Sequence, residues 1–333
     1  MQDPVEFDRS LLYDVLWIML TINKKYGVSQ MKLEFYRQLV QMIDESRILQ
    51  EEPMKKHTTF RVGGSADFFV MPKNAEEVQQ IIALCNKNEM PYYVLGNGSN
   101  LLVSDAGYRG VIIQIYKEMN TINIEGTKVY AQAGALLSKI GSEALGAELT
   151  GFEFAAGIPG TVGGAVVMNA GAYGGEMKDI LSCATVLTPV GEVKTLCNEE
   201  LELGYRTSVI AKNDYIVLEA EFQLEKGNKE AIRARMEELK VQRVTKQPLE
   251  LPSAGSTFKR PEGYFAGKLI QDAGLRGFSV GDAQVSEKHC GFVVNKGNAT
   301  AAEVMELITK VADKVEEQFG VRLEPEVKVL GEF

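Results

Sequence analysis

Histidine and tryptophan are scarce in this 333-residue chain, which has two of the former and one of the latter. The four cysteines, Cys85, Cys183, Cys197 and Cys290, are scattered, with no C-x-x-C spacing. Two histidines and no cysteine motif leave no zinc-type ligand pattern, so no metal is expected. The same cysteine usage fits a reduced, cytoplasmic protein. Positive charge is short as well: the net charge of −9 argues against a general nucleic-acid or membrane-surface binder, which would show a basic face. The longest apolar run, LLYDVLWIMLTI, is too short to span a bilayer and contains Asp14. It lacks the basic start and small-residue cleavage site of a signal peptide. There is no internal repeat and no low-complexity linker.

What the chain does have is length for two or three domains, and 32 glycines. Helical period and capping residues mark NAEEVQQIIALCNKN, where Asn74 and Glu77 have capping-box spacing. TAAEVMELITKVADKVEEQFG repeats the device with Thr300 and Glu303 and stops at Gly320. KEAIRARMEELKVQR is a third helix, and MKLEFYRQLVQMIDES reads as a fresh amphipathic helix opening at Met31. Residues 1–30 are therefore expected to be an extension, 31–228 one domain in two subdomains (about 31–115 and 116–228), 229–319 another, and 320–333 a return to the first. Short β-rich runs such as PYYVLG, GVIIQIY, KVYAQAG, ATVLTP and YIVLEAEFQL alternate irregularly with the helices, which favours α+β over a doubly wound sheet.

Two glycine-rich stretches stand out. In YYVLGNGSNLLVSDAGYRG (92–110), Gly96, Asn97, Gly98, Ser99 and Asn100 follow a strand, but Leu101 occupies the third glycine position of a dinucleotide fingerprint. A Walker loop is missing too, since GYFAGKL has the wrong spacing. The stretch is either a plain hairpin or a nest of backbone N–H groups able to hold a pyrophosphate. GIPGTVGGAVVMNAGAYGG (157–175) has no Lys or Arg. It reads either as tight helix–sheet packing or as backbone laid against a flat, anionic cofactor.

With the flanking LGNGSNLLVSDAGYRGVII and GFEFAAGIPGTVGGAVVMNAGAYGGEM, these stretches resemble the UDP-N-acetylenolpyruvoylglucosamine reductase family. TTFRVGGSADFFV, GYRTSVI, PSAGSTFKRP and RLEPEVKVLG are similar to that family's motifs and stand in its order, so the resemblance covers roughly residues 31–333. It implies a vanillyl-alcohol-oxidase-type FAD-binding fold in two subdomains, a separate α+β substrate-binding domain, and a monomeric state. It also implies a flavin enzyme of peptidoglycan precursor synthesis, holding FAD non-covalently and taking hydride from NADPH at a site shared with the enolpyruvyl UDP-sugar. The cofactor contacts implied are Arg61, Gly96, Asn97, Gly98, Ser99, Asn100, Leu101, Gly157, Ile158, Pro159, Gly160, Gly163, Gly164, Asn169, Gly171 and Ala172.

The same resemblance places a proton donor at Ser256, a carboxylate-binding arginine at Arg206 and a catalytic glutamate at Glu326. Taken alone, each has a blander reading: a turn serine beside Gly255, a strand-end arginine, an exposed strand charge. Arg243, Lys246, Lys259, Arg260 and Lys268 cluster within 26 positions. Lys246, Lys259 and Arg260 are the expected contacts to substrate phosphate or uridine, with a solvated basic face as the alternative. The span between Tyr173 and Arg206 is short, which resembles the family form without a tyrosine lid loop.

Overall fold

The computed structural model describes residues 30–333; the expected extension, apart from its last residue, lies outside the described residues. The chain opens with a helix at 30–39, which buries Phe35 and Leu39, and Ile43 follows on the same side. Their spacing of four residues each time is the helical stripe read from the sequence, and the Phe35 ring lies 5.2 Å from that of Phe68.

The first part of the molecule is built on two large sheets, with smaller two-stranded ones beside them. One is mixed: Ile48–Pro53 runs antiparallel to Ser65–Val70, which pairs in parallel with Tyr108–Gln114, itself parallel to Tyr92–Leu95. Its inner strands bury the apolar runs Phe68–Val70 and Val111–Ile113 on both faces, as strands covered on both sides do. Helix Ala75–Lys87 packs against it with Val78, Ile81, Ile82 and Cys85 buried. The second sheet is antiparallel, in the order Val193–Cys197, Leu181–Leu187, Ile216–Gln223, Lys128–Gln132, Ile122–Glu125. One continuous core, from Phe35 to Leu224, joins the two.

A separate apolar cluster gathers residues from Ala254 to Val327, with Phe60, Val62 and Leu102 contributed by the first part. Its sheet is antiparallel, ordered Ser253–Ser256, Phe292–Asn295, Ala283–Val285, Ser279–Val280, and helix Ala301–Phe319 covers it. Thr300 and Glu303 make the reciprocal capping box, and Gly320 ends this helix at φ 66°. Asp105, from the first part, also accepts the N–H groups of Ala301 and Ala302. The helix is therefore pinned across the molecule at its positive end.

The other capping pattern resolves differently. The Asn74 side chain accepts from the Glu77 N–H, but the Glu77 carboxylate does not return to Asn74. It binds the Arg47 guanidinium twice, at 2.5 and 2.8 Å, and takes the Lys73 N–H at 2.8 Å. A buried carboxylate finds more in a guanidinium than in one further amide.

Helix Lys229–Lys246 connects the two parts. Its Met236 lies over Gly141, and its Arg243 donates to the Gly157 carbonyl, so it packs on the first part. The chain then returns: Lys328–Leu330 pairs in parallel with Leu101–Val103. This is the mixed α and β architecture, with strands and helices alternating irregularly, that the sequence predicts. No described helix is long and apolar enough to cross a membrane.

Candidate active site

The two glycine-rich stretches meet each other. Asn97 Nδ2 lies 3.5 Å from the Pro159 carbonyl, and a Cβ on Gly96 would stand 2.4 Å from Thr161 Oγ1. A Cβ on Gly98, at φ 64°, would strike the His57 carbonyl at 1.9 Å. Here glycine is required for loop-on-loop packing, because no side chain fits between the backbones. Gly157, Gly160 and Gly164 differ: a Cβ there meets nothing closer than 3.7 Å.

Together the loops wall a cavity of about 660 Å³, within the usual range for a cofactor site. Arg61, Asn97, Ser99, Asn100, Gly157, Ile158, Pro159, Gly171 and Ala172 line it; Gly96, Gly98, Leu101, Gly160, Gly163, Gly164 and Asn169 do not. Physical reasons separate the second group. Leu101 is buried in the strand paired with Lys328. Gly163 sits over Ala133 in the short helix Val162–Val167. Asn169, buried at φ 44°, donates to Glu176 Oε2 and the Gly204 carbonyl and accepts the Lys178 N–H. It ties the glycine loop to the turn that carries Arg206.

Sequence reasoning missed three further parts of this wall. Gln114 ends an apolar strand, is 3% exposed, and keeps an unpartnered Oε1. One polar residue closing the run GVIIQ was the available signal. Arg243 reaches in from its helix, and burial pushes its guanidinium below its ordinary range. Residues 249–253, a turn that leads into the strand ending at Ser256, complete the wall. An orphaned buried acceptor, a desolvated cation and open glycine backbone fit a flat, anionic cofactor, and these residues would hold FAD. His57 also lines the cavity, but its Nε2 is engaged with Glu52 at 3.0 Å.

A second cavity, of about 450 Å³, lies on the other side of Ser256. Arg260, Lys268, Arg276 and Lys288 bring positive charge to it, and Tyr205 and Phe265 bring aromatic surface. The Arg260 guanidinium lies 4.1 Å above the Phe265 ring, and Tyr205 Oη accepts the Arg260 N–H. Lys246 and Lys259 line neither cavity. Lys259 is paired with Glu324 at 3.0 Å, and Lys246 is exposed at the end of its helix.

Arg206, Ser256 and Glu326 are the residues that line both cavities. Their meeting is built by backbone. Glu326 N–H donates to the Thr257 carbonyl, Lys259 N–H donates to the Glu324 carbonyl, and Phe258 bridges Pro325. This short antiparallel pairing sets Glu326 beside the strand that ends at Ser256. Asn100 holds the same segment from the other side, donating to the Glu326 carbonyl and accepting the Lys328 N–H.

Arg206 sits at φ 56° in a tight turn closed by mutual Gly204–Thr207 bonds. A left-handed arginine is strained backbone, held by its surroundings. Its Nε donates to Glu326 Oε1 at 2.6 Å, which leaves the Nη pair of the guanidinium for another acceptor. Burial pushes the Glu326 carboxyl up, and the Arg206 charge and bond offset only part of this, so it stays above the usual carboxylate range.

Similarity to known proteins agrees with this division. Residues 66–196 match the FAD binding domain family, and residues 247–330 match the UDP-N-acetylenolpyruvoylglucosamine reductase C-terminal domain. The chain is 55% identical over 317 residues to the UDP-N-acetylenolpyruvoylglucosamine reductase of Agathobacter rectalis, covering 91% of this chain and all of that one. The corresponding protein of Clostridioides difficile is 51% identical over 299 residues, 90% of this chain and 98% of that one. The crystal structure of the Thermus caldophilus reductase superposes with a TM-score of 0.73 at 39% identity, over 85% of this chain and 98% of that one. The chain therefore belongs to the UDP-N-acetylenolpyruvoylglucosamine reductase family of FAD-dependent oxidoreductases.

Proposed function

We propose that this enzyme reduces UDP-N-acetylglucosamine enolpyruvate to UDP-N-acetylmuramate, in peptidoglycan precursor synthesis, with NADPH as the hydride source. The observation that carries the reading is the shared wall: Arg206, Ser256 and Glu326 stand between a cavity suited to a flavin and a cationic one suited to a nucleoside diphosphate. Bound FAD supplies a two-electron carrier that can accept hydride from NADPH and pass it on. The rest of the chemistry belongs to the protein.

When hydride reaches the terminal carbon of the enolpyruvyl C=C bond, negative charge develops at the neighbouring carbon and spreads into the attached carboxylate. The free Nη edge of Arg206 faces that developing charge, the fixed electrostatic arrangement that lowers such barriers. Ser256 Oγ–H gives its proton to the carbanionic carbon, a strong enough base to accept it. Glu326 holds the Arg206 guanidinium in place through Nε. Arg260, with Lys268, Arg276 and Lys288 near it, supplies the positive charge that a chain of net charge −9 must gather locally for two phosphates.

In this reading the FAD-binding part is 31–228, substrate recognition falls within 229–319, and 320–333 closes the site, with helix Lys229–Lys246 as the connector. FAD is held without a covalent bond. The span from Tyr173 to Arg206 is occupied by the end of one small hairpin, a second hairpin over 181–197 and two short 3-10 turns, and Tyr173 lines the cofactor cavity half-exposed. This corresponds to the family form without a lid loop. The enzyme acts as a cytoplasmic monomer.

Anaerobic stopped-flow spectroscopy on the Ser256→Ala variant tests the mechanism. NADPH should bleach the flavin at the wild-type rate, and recovery on adding the enolpyruvyl sugar should slow by about 10²- to 10⁴-fold. Unchanged recovery removes Ser256 as the proton donor. Wild-type flavin that recovers only with oxygen removes the reductase reading itself.

A further inference from the structure

Cys183 and Cys197 are directly opposite each other on neighbouring antiparallel strands, Leu181–Leu187 and Val193–Cys197. The connecting turn fixes which kind of rung this is. Thr188 N–H donates to the Glu192 carbonyl, which makes 188/192 a hydrogen-bonded rung. Rungs alternate along an antiparallel pair, so 186/194 and 184/196 are hydrogen-bonded, and 185/195 and 183/197 are not.

At non-hydrogen-bonded rungs the Cα atoms stand about 4.5 Å apart and the side chains approach each other. That spacing lies inside the disulfide window of about 4.4 to 6.8 Å. The adjacent rung of the same kind shows the approach directly, with Thr185 Oγ1 3.3 Å from Thr195 Oγ1. Both pairs share the outer face of the sheet: Ala184 and Val186 are buried, whereas Thr195 and Cys197 are exposed and Cys183 is partly so.

Each thiol now has another neighbour. Cys183 Sγ is 3.9 Å from Glu221 Oε2, and Cys197 Sγ accepts the Glu200 N–H. Both contacts are made by side chains free to change rotamer, and a change of χ1 at each would turn the two sulfurs towards each other. The remaining cysteines, Cys85 and Cys290, are buried, and burial pushes the Cys85 thiol up to about 12.

We propose that Cys183 and Cys197 are a thiol-modification site that closes into a reversible cross-strand disulfide in the presence of a low-molecular-weight disulfide. The Cys197 thiolate, the more exposed, attacks one sulfur of the small disulfide, forming a mixed disulfide and expelling one thiolate. The Cys183 thiolate then attacks Cys197 Sγ, forming the protein S–S bond and expelling the second thiolate. Two small thiols carry away the two protons, so the protein is oxidised by two electrons and the small disulfide is reduced. The bond would replace the thiol that caps the turn Asn198–Leu201, a few residues before Arg206.

The test uses FAD-loaded protein treated with oxidised glutathione, with retained flavin absorbance as the check on folding. Two of the four thiols should disappear, with a mass loss equal to two hydrogens. Peptide mapping should join Cys183 to Cys197, and dithiothreitol should restore both thiols. Cys183→Ser should instead accumulate the glutathione adduct on Cys197, and Cys197→Ser should keep Cys183 reduced. Stable glutathione on wild-type Cys197 without the link would overturn the proposal, as would links formed only between molecules.

Discussion

Two arginine–glutamate pairs in this molecule share the same chemistry and differ in everything around it. In Arg47–Glu77 both guanidinium Nη atoms meet both carboxylate oxygens, and the Lys73 N–H adds a further bond. Burial pushes the Glu77 carboxyl up, but these bonds outweigh it and hold the group below its usual range. In Arg206–Glu326 one nitrogen meets one oxygen, the arginine backbone is left-handed, and burial wins, so the carboxyl stays above its usual range. The first pair is a finished clamp between the start of the first sheet and its helix. The second keeps hydrogen-bonding capacity in reserve, and the two cavities meet where that capacity points.

Substitutions at the two pairs should separate these roles. Glu326→Gln should produce the largest change: a loss of about 10²- to 10⁴-fold in flavin reoxidation by substrate, with no fall in unfolding midpoint. Equal losses of rate and stability would make Arg206–Glu326 a second clamp. Arg47→Met should do the reverse, lowering stability by about 3–5 kcal/mol in urea titrations because Glu77 is left buried without its partner. Turnover of the folded fraction should not change. Removing both charges, as Arg47→Met with Glu77→Leu, should recover much of that loss.

The smallest effect, and the finest discriminator, is pH. Glu77 has a depressed folded value, so its contribution to stability is present above the unfolded carboxylate value and is lost as pH falls through the folded one. Glu326 has a raised folded value, so its contribution is present below the unfolded value and is lost as pH rises through the folded one. Urea midpoints across the acid range should therefore converge for wild type and Glu77→Gln at low pH. Wild type and Glu326→Gln should diverge as pH rises. Parallel curves would show that neither carboxyl is shifted.

Local signals gave a good account of the elements. The buried stripe of Phe35 and Leu39, the capping box at Thr300 and the strands around PYYVLG and YIVLEAEFQL stand where period and composition put them. What escaped was pairing over distance. Gly96 and Gly98 look like ligand-facing glycines in isolation, yet they make room for Thr161 and His57, which no local pattern links to them. Glu77 looks like the second half of a capping box until Arg47, 30 residues earlier, claims it. Arg206 and Glu326 are 120 residues apart, and only the family motifs suggested that they meet. Arg243 and Gln114 were visible as residue types, but their desolvation is a property of the assembled cavity.

The return of the chain ties one end of the molecule to a loop in its middle. Glu326 is held by Asn100, and the strand beyond it pairs with Leu101–Val103. The glycine loop and the carboxylate that grips Arg206 therefore share one set of backbone hydrogen bonds, so a displacement of either is carried to the other.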